Sequence, residues 1–259
     1  MITFPRVVWA EWTKLVSLRS TWITLGAAAV LAVGLSGAIG YGVHHSVEGG
    51  EPPPALAEAV GAAFLPIDLF VLVFGVFGVL QMTGEYGSGL IRATLTAVPR
   101  RWPVTAAKAV VQVAVTLPVM AATALGSFLV CQAFLGDGGA SLGDPGVPGA
   151  IVGAAFCPVL MGLLGLGAGT VIRHTAGAIT TLVAGLFIIP LLLGPALPGD
   201  LEEDVMKYVP TVAGQAMYSV DGGGQPFDVL PPATSAAVMV GWAALLLAAG
   251  IVLLRRCDA

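Results

Sequence analysis

TGEYGSGLIRATLTAVPRRWPVTAAK, residues 83–108, lies between two long apolar runs and carries four of the chain's eleven basic residues, Arg92, Arg100, Arg101 and Lys108. A basic loop joining two apolar runs predicts a membrane protein with this loop on the cytoplasmic side, where Lys- and Arg-rich loops are retained. Composition agrees. The 259 residues are 57% hydrophobic and 10% charged, with a mean hydropathy of +0.93. A soluble domain carries about 25% charged residues. One protein core cannot hide this much apolar surface, so lipid must be the solvent for part of it.

Six apolar runs are long enough to cross a hydrocarbon core of about 30 Å at about 1.5 Å per residue. They cover 22–43, 57–82, 104–134, 150–172, 176–197 and 233–254. The fold class expected is therefore all-α, a single polytopic membrane domain with both termini cytoplasmic. Pro66 either begins the second buried helix or lies inside a longer one. Pro103 suits the first turn of the third span. Residues 83–103 form the basic loop, and 198–232 form a long outer loop. Ahead of the first span, residues 4–21 carry Arg6, Lys14 and Arg19 with two tryptophans. Phe4, Val8, Trp12 and Leu15 share one side of a helical wheel, with Trp9 and Val16 beside them, and Glu11 and Arg19 interrupt it. This is the pattern of a helix lying in the membrane interface, with a frayed basic tail as the plainer alternative. The first apolar run has 22 residues, longer than the roughly 7–15 of a signal-peptide core, and predicts a retained span.

The charges then sort themselves. With six spans, ten of the eleven Lys and Arg residues fall on one side, and Lys207 alone falls on the other. Glu48, Glu51, Glu58, Asp137, Asp144, Asp200, Glu202, Glu203, Asp204, Asp221 and Asp228 lie on the Lys207 side or at its interface. No basic patch interleaved with aromatics suggests nucleic acid. The three cysteines have no metal-site spacing, and His44, His45 and His174 form no metal constellation. Neither GxxxxGK[ST], HExxH nor GxSxG occurs, so nucleotide hydrolysis and the common hydrolytic sites are not expected in this chain.

Few residues inside the spans carry chemistry. Asp68 is the one candidate for an intramembrane carboxylate, read either as functional or as an acid on the first turn of its helix. Phe70, Phe74 and Phe77 recur at i, i+4, i+7 and either line a substrate path or pack against lipid and neighbouring helices. GLGAG at 165–169 either lets two helices approach closely or is chance in a chain with 35 glycines. Within the basic loop, a short helix is expected from about Ser88, with Leu90 or Ile91, Leu95 and Val98 on one face and Pro99 as its stop. Such a helix suits docking to another protein or lying on anionic lipid. Glu85 is placed to pair with Arg92 or another nearby cation.

The loop resembles a known family. A Glu-Tyr-x-x-Gly-x-x-Arg segment after the second span, then Pro-Arg-Arg and a lysine, is the pattern of membrane subunits of type-2 ABC exporters, above all the short actinobacterial-type six-span permeases. Here these residues are Glu85, Tyr86, Gly89, Arg92, Pro99, Arg100, Arg101 and Lys108, and EWTKLVSLRSTW at 11–22 resembles the family's interfacial segment, with Glu11, Trp12, Lys14 and Arg19. The resemblance implies a permease subunit of a bacterial cell membrane, with no cofactor of its own. ATP and Mg would be handled by a separate ABC ATPase, docked on a coupling helix in the basic loop. It further implies a second copy or a related permease as partner, surrounding lipid, no nucleic-acid partner, and short re-entrant helices in the outer loop. Two other functions are open from the residues alone: an ion-coupled carrier that depends on Asp68, and a membrane partner of an ATPase or regulator that transports nothing.

Overall fold

The computed structural model describes residues 3–97, 101–193, 196, 198–220 and 229–256. These are almost wholly helical, with no strand among them. In chain order the helices are α1 (Phe4–Ser17), α2 (Arg19–Glu48), α3 (Leu56–Gly87), α4 (Leu90–Ala97), α5 (Trp102–Leu135), α6 (Val147–Ile172), α7 (Thr175–Val183), α8 (Ile189–Leu193), α9 (Gly199–Met206), α10 (Pro210–Ala216) and α11 (Pro232–Arg256). A π-helical stretch, Ala184–Ile188, joins α7 to α8. Six helical segments are long and apolar enough to cross a membrane: α2, α3, α5, α6, Thr175–Leu192 and α11 up to Leu254.

The spans expected from sequence all exist, with shifted ends. The second begins at Leu56 with Pro66 inside it, and runs to Gly87 rather than ending at Met82. At about 1.5 Å per residue its 32 residues reach about 48 Å, well beyond a hydrocarbon core of about 30 Å. Both ends therefore project past the core, with Glu58 near one and Glu85 near the other. Glu58 folds back so that its Oε2 accepts from the Ala55 N–H at 3.0 Å and holds the first turn. The segment expected as a loop at 83–103 is thus helical for much of its length. The expected stop at Pro99, with Val98 and Arg100, lies outside the described residues.

α6 is the central helix and packs on α3, α5 and α11. Its glycines make this possible. A Cβ on Gly165 would lie 1.8 Å from the Gly75 carbonyl oxygen of α3, and one on Gly78 would lie 1.9 Å from the Gly162 carbonyl oxygen. The two backbones touch where any side chain would stand, which is how membrane helices gain dispersion contact without a hydrophobic drive. Gly169 also faces α3, at Val79, and Gly167 faces α11, at Leu246, so all three glycines of GLGAG serve close approach.

Candidate functional site

The site is built at the basic end of the bundle, where α1 meets α3 and α5. On α1 the residues turned into the protein are Val7, Glu11 and Leu15, at i, i+4, i+8. The apolar side expected around Phe4, Val8 and Trp12 is only partly correct, because Trp9 is 72% exposed and Phe4 and Trp12 are also exposed. The tryptophans turn outward, as suits an interfacial belt. Glu11, which interrupts the apolar side of the helical wheel, points inward. α1 is pinned at both ends. Phe4 stacks on Trp102 of α5 at 6.1 Å, and Trp22 Nε1 donates to the Val16 carbonyl at 2.9 Å.

Glu11 enters a closed ring of four charged side chains. Lys108 Nζ of α5 donates to Glu11 Oε2 at 2.7 Å and to Glu85 Oε1 of α3 at 2.6 Å. Lys14 Nζ donates to Glu11 Oε1 at 2.8 Å and to Glu85 Oε1 at 2.9 Å. Formal charge cancels within the ring. Glu11, Glu85 and Lys108 are 5%, 8% and 4% exposed, while the Lys14 side chain is 44% exposed. Burial alone would lower the Lys14 ammonium. Its hydrogen bonds and proximity to Glu11 and Glu85 outweigh that and hold it above its ordinary value. Glu85 therefore pairs with Lys108 and Lys14. Of the two alternatives read from the sequence, Arg92 or another nearby cation, the second holds, and Arg92 is exposed on the outer side of α4. The physical reason is the length of α3. Because it continues to Gly87, Glu85 sits on a helical turn facing α1 and α5 before the chain reverses.

Above the ring lies α4. The chain turns at Gly89, whose φ of 74° is in the left-handed region. The helix starts at Leu90, two residues later than expected. Ile91 is its buried anchor and packs with Met82, Leu166 and Leu254 at the ends of α3, α6 and α11. Leu90, Arg92, Ala93 and Thr96 face outward. The side chain of Leu95 lies outside the described residues. Thr94 Oγ1 comes within 3.5 Å of Glu85 Oε2, so α4 also borders the ring. A cavity of about 390 Å3 opens between α1, α3, α4 and α5, with Leu15, Leu80, Leu90 and Gln81 on its walls and the ring at its edge.

Two further arginines tie this end together. Arg101 Nη1 donates to the Leu254 carbonyl at 2.8 Å, and Arg173 Nη2 donates to the Leu253 carbonyl at 2.9 Å. Cations from two different turns thus satisfy the open carbonyls at the C-terminal end of α11. The Arg173 guanidinium also stands 5.9 Å from the centre of the Tyr86 ring. Of the residues marked from the sequence, Glu11, Lys14, Glu85, Tyr86 and Arg101 come together here. Arg92, Trp12 and Arg19 lie exposed around them, and Pro99 and Arg100 fall outside the described residues.

Phe70, Phe74 and Phe77 form part of a different layer. Phe74 is buried, and its neighbours in the stripe are half-buried against Leu25, Val111 and Met120 of α2 and α5. The free space beside Phe70 and Phe74 is about 10 Å3, on the scale of a single water. Asp68 is not on a first turn. It lies twelve residues into α3, where the Tyr218 hydroxyl donates to its Oδ1 and the Gln215 side chain adds a second hydrogen bond. Burial, and then the Asp68 charge, push the Tyr218 phenol well above its ordinary value. Tyr218 was not marked from the sequence. No protein-family model matches this chain, and no curated protein matches it.

Proposed function

We propose that this chain is the membrane-spanning subunit of an ATP-driven exporter in a bacterial cell membrane, with its basic end in the cytoplasm. The observation that carries this reading is the ring of Glu11, Lys108, Glu85 and Lys14. It fastens an interfacial helix and two spans into one unit, directly beneath a short helix that offers Leu90, Arg92 and Thr96 to the outside. A rigid platform of this kind suits a partner that pushes. Force applied to α4 or α1 is passed to α3 and α5 together and is not dissipated in a loose loop. The partner is a separate ABC ATPase that binds ATP and Mg. The chain works as a pair, with a second copy or a related permease, and the cargo crosses between the halves. The positive-inside distribution, the lack of a nucleotide-binding motif and the resemblance of residues 83–108 support this reading together.

The test is co-expression with a candidate P-loop ATPase, sought first in the coding sequence next to that of this chain, followed by purification through a tag on this chain. A stable complex whose ATP hydrolysis rises when this chain is present supports the reading. Failure of the two to co-purify, with both folded, sinks it. The buried Asp68–Tyr218 contact favours a second reading, an ion-coupled carrier. That reading requires transport to collapse with the ion gradient and with Asp68→Asn, whereas the exporter continues on ATP alone.

A further inference from the structure

The cavity of about 390 Å3 at the edge of the ring has two kinds of wall. Leu15, Leu18, Leu80, Leu90 and Val111 give it a hydrocarbon side, and the four ring residues give it a charged one. Leu18, Leu80 and Leu90 are exposed, so a ligand reaches the charges past hydrocarbon. α1 packs chiefly on α5, and a side chain crosses the crevice to α3: Lys14 Nζ reaches Glu85 Oε1 at 2.9 Å. The two lysines of the ring are not equivalent. The Lys108 side chain is 5% exposed and that of Lys14 is 44% exposed. Lys108 alone touches both carboxylates. Glu11 and Glu85 therefore stay linked, and α1, α3 and α5 with them, when Lys14 leaves.

A half-exposed ion pair holds its lysine weakly. A lysine that swings into water also regains the rotamer freedom it gave up in the pair. The two acceptors it releases are Glu11 Oε1 and Glu85 Oε1, which it holds at 2.8 and 2.9 Å. They converge on one point beside an apolar cavity. Glu11, Glu85 and Lys108 together carry one net negative charge, so that point takes a single cation and repels an anion. A quaternary ammonium has no N–H to give the two oxygens. A primary ammonium restores neutrality and donates to both in charge-assisted hydrogen bonds, while its apolar body lies along the leucines. The volume falls within the roughly 300–1,000 Å3 of small-ligand sites. We propose that this cavity binds an amphipathic primary amine, whose ammonium takes the place of the Lys14 ammonium between Glu11 and Glu85. Lys14 is then a built-in competitor that keeps the two carboxylates neutralised until such a ligand arrives.

Binding by this chain needs no ATPase, so the test uses the purified protein alone in detergent micelles and stands apart from the exporter reading. Pyrenebutylamine is the probe, with pyrenebutanol and pyrenebutyrate as neutral and anionic analogues of the same body. Saturable binding above that of empty micelles is read by energy transfer from tryptophan to pyrene. Wild type should bind the amine more tightly than either analogue. Lys14→Met should bind the amine about fivefold tighter than wild type, the factor that corresponds to an exposed ion pair, with a smaller gain for the alcohol. Gly84 borders the cavity, and a Cβ built on it meets nothing within 4 Å. Gly84→Leu should fill the space and abolish saturable binding, while Gly26→Leu on α2, also open, should match wild type. No saturable binding by wild type, equal affinity for amine and alcohol, or an amine affinity that is unchanged or weaker in Lys14→Met overturns the proposal. Wild-type affinity in a folded Gly84→Leu overturns the placement in this cavity. The comparison of the three probes on wild type decides the matter if Gly84→Leu does not fold.

Discussion

Replacing Lys108 with methionine should destabilise the protein more than any other single change in the charged ring. Lys108 is buried and donates to both buried carboxylates, at 2.7 Å to Glu11 and 2.6 Å to Glu85. Lys108→Met keeps the volume of the side chain and removes the charge. Two carboxylates are then left facing one ammonium, that of the half-exposed Lys14. Breaking a buried pair by removing one partner costs about 3–5 kcal/mol, because the remaining charge is left uncompensated. Lys14→Met leaves Lys108 in place and removes a partly solvated partner, so its cost should be about 1 kcal/mol or less. The informative variant is the double one. In Glu85→Gln with Lys108→Met, the remaining Glu11 and Lys14 still neutralise each other, and the loss should be well below the sum of the two single losses. The assay is reversible unfolding in detergent micelles, read by the fluorescence of Trp9, Trp12, Trp22 and Trp102, which surround the site. The Lys108→Met midpoint should fall by on the order of 10 °C. A loss under about 1 kcal/mol for Lys108→Met, or a double variant whose loss equals the sum, would falsify the ring as an interdependent unit.

Other parts of the structure make their own predictions. The Lys14 ammonium is held above its ordinary value of 10.5 by the two carboxylates. Its stabilising contribution is therefore complete below that pH and is lost as pH rises through the higher folded-state value; alkaline titration should release α1 in wild type, and Lys14→Met should lack that step. Gly165→Leu should block folding, because the new Cβ would meet the Gly75 carbonyl; gel filtration should show aggregate, while Gly26→Leu elutes as wild type. Tyr218→Phe removes the hydroxyl that donates to Asp68 and should cost about 1.5–3 kcal/mol if the carboxylate is ionised, measured by the same unfolding assay.

The spans were legible because lipid imposes a local rule, about twenty apolar residues in succession, and because basic residues mark one side. Their ends were less so. Nothing local says that α3 continues past Met82 to Gly87, since TGEYG is too polar to extend an apolar run and helix continuation there depends on packing with α1 and α5. The ring was hardly legible at all. Two of its four pairs join residues 71 and 97 positions apart, and pairing at that distance is decided by how helices cross. Two signals were nonetheless present. Glu11 sits where the apolar side of α1 should continue, and Lys108 sits among apolar residues in the second turn of α5. Charges that violate an amphipathic pattern on two separate segments are candidates for each other. The first-turn reading of Asp68 needs the helix to begin near Pro66, and it falls because α3 begins at Leu56 with Pro66 inside it. In the outer segment α9 and α10 are short helices, and the contact of α10 with α11 joins segments whose pairing no local pattern announces.

Binding of an ATPase that co-purifies with this chain, measured for the wild type and for Arg92→Glu in lipid nanodiscs, tests the central claim most directly. Arg92 is exposed on α4 and stands outside the charged ring, so its reversal should leave the unfolding midpoint unchanged. The account predicts that affinity falls at least about tenfold, about 1.4 kcal/mol, and that ATP hydrolysis is no longer stimulated. Unchanged affinity and unchanged stimulation in Arg92→Glu would contradict α4 as the surface through which the ATPase acts.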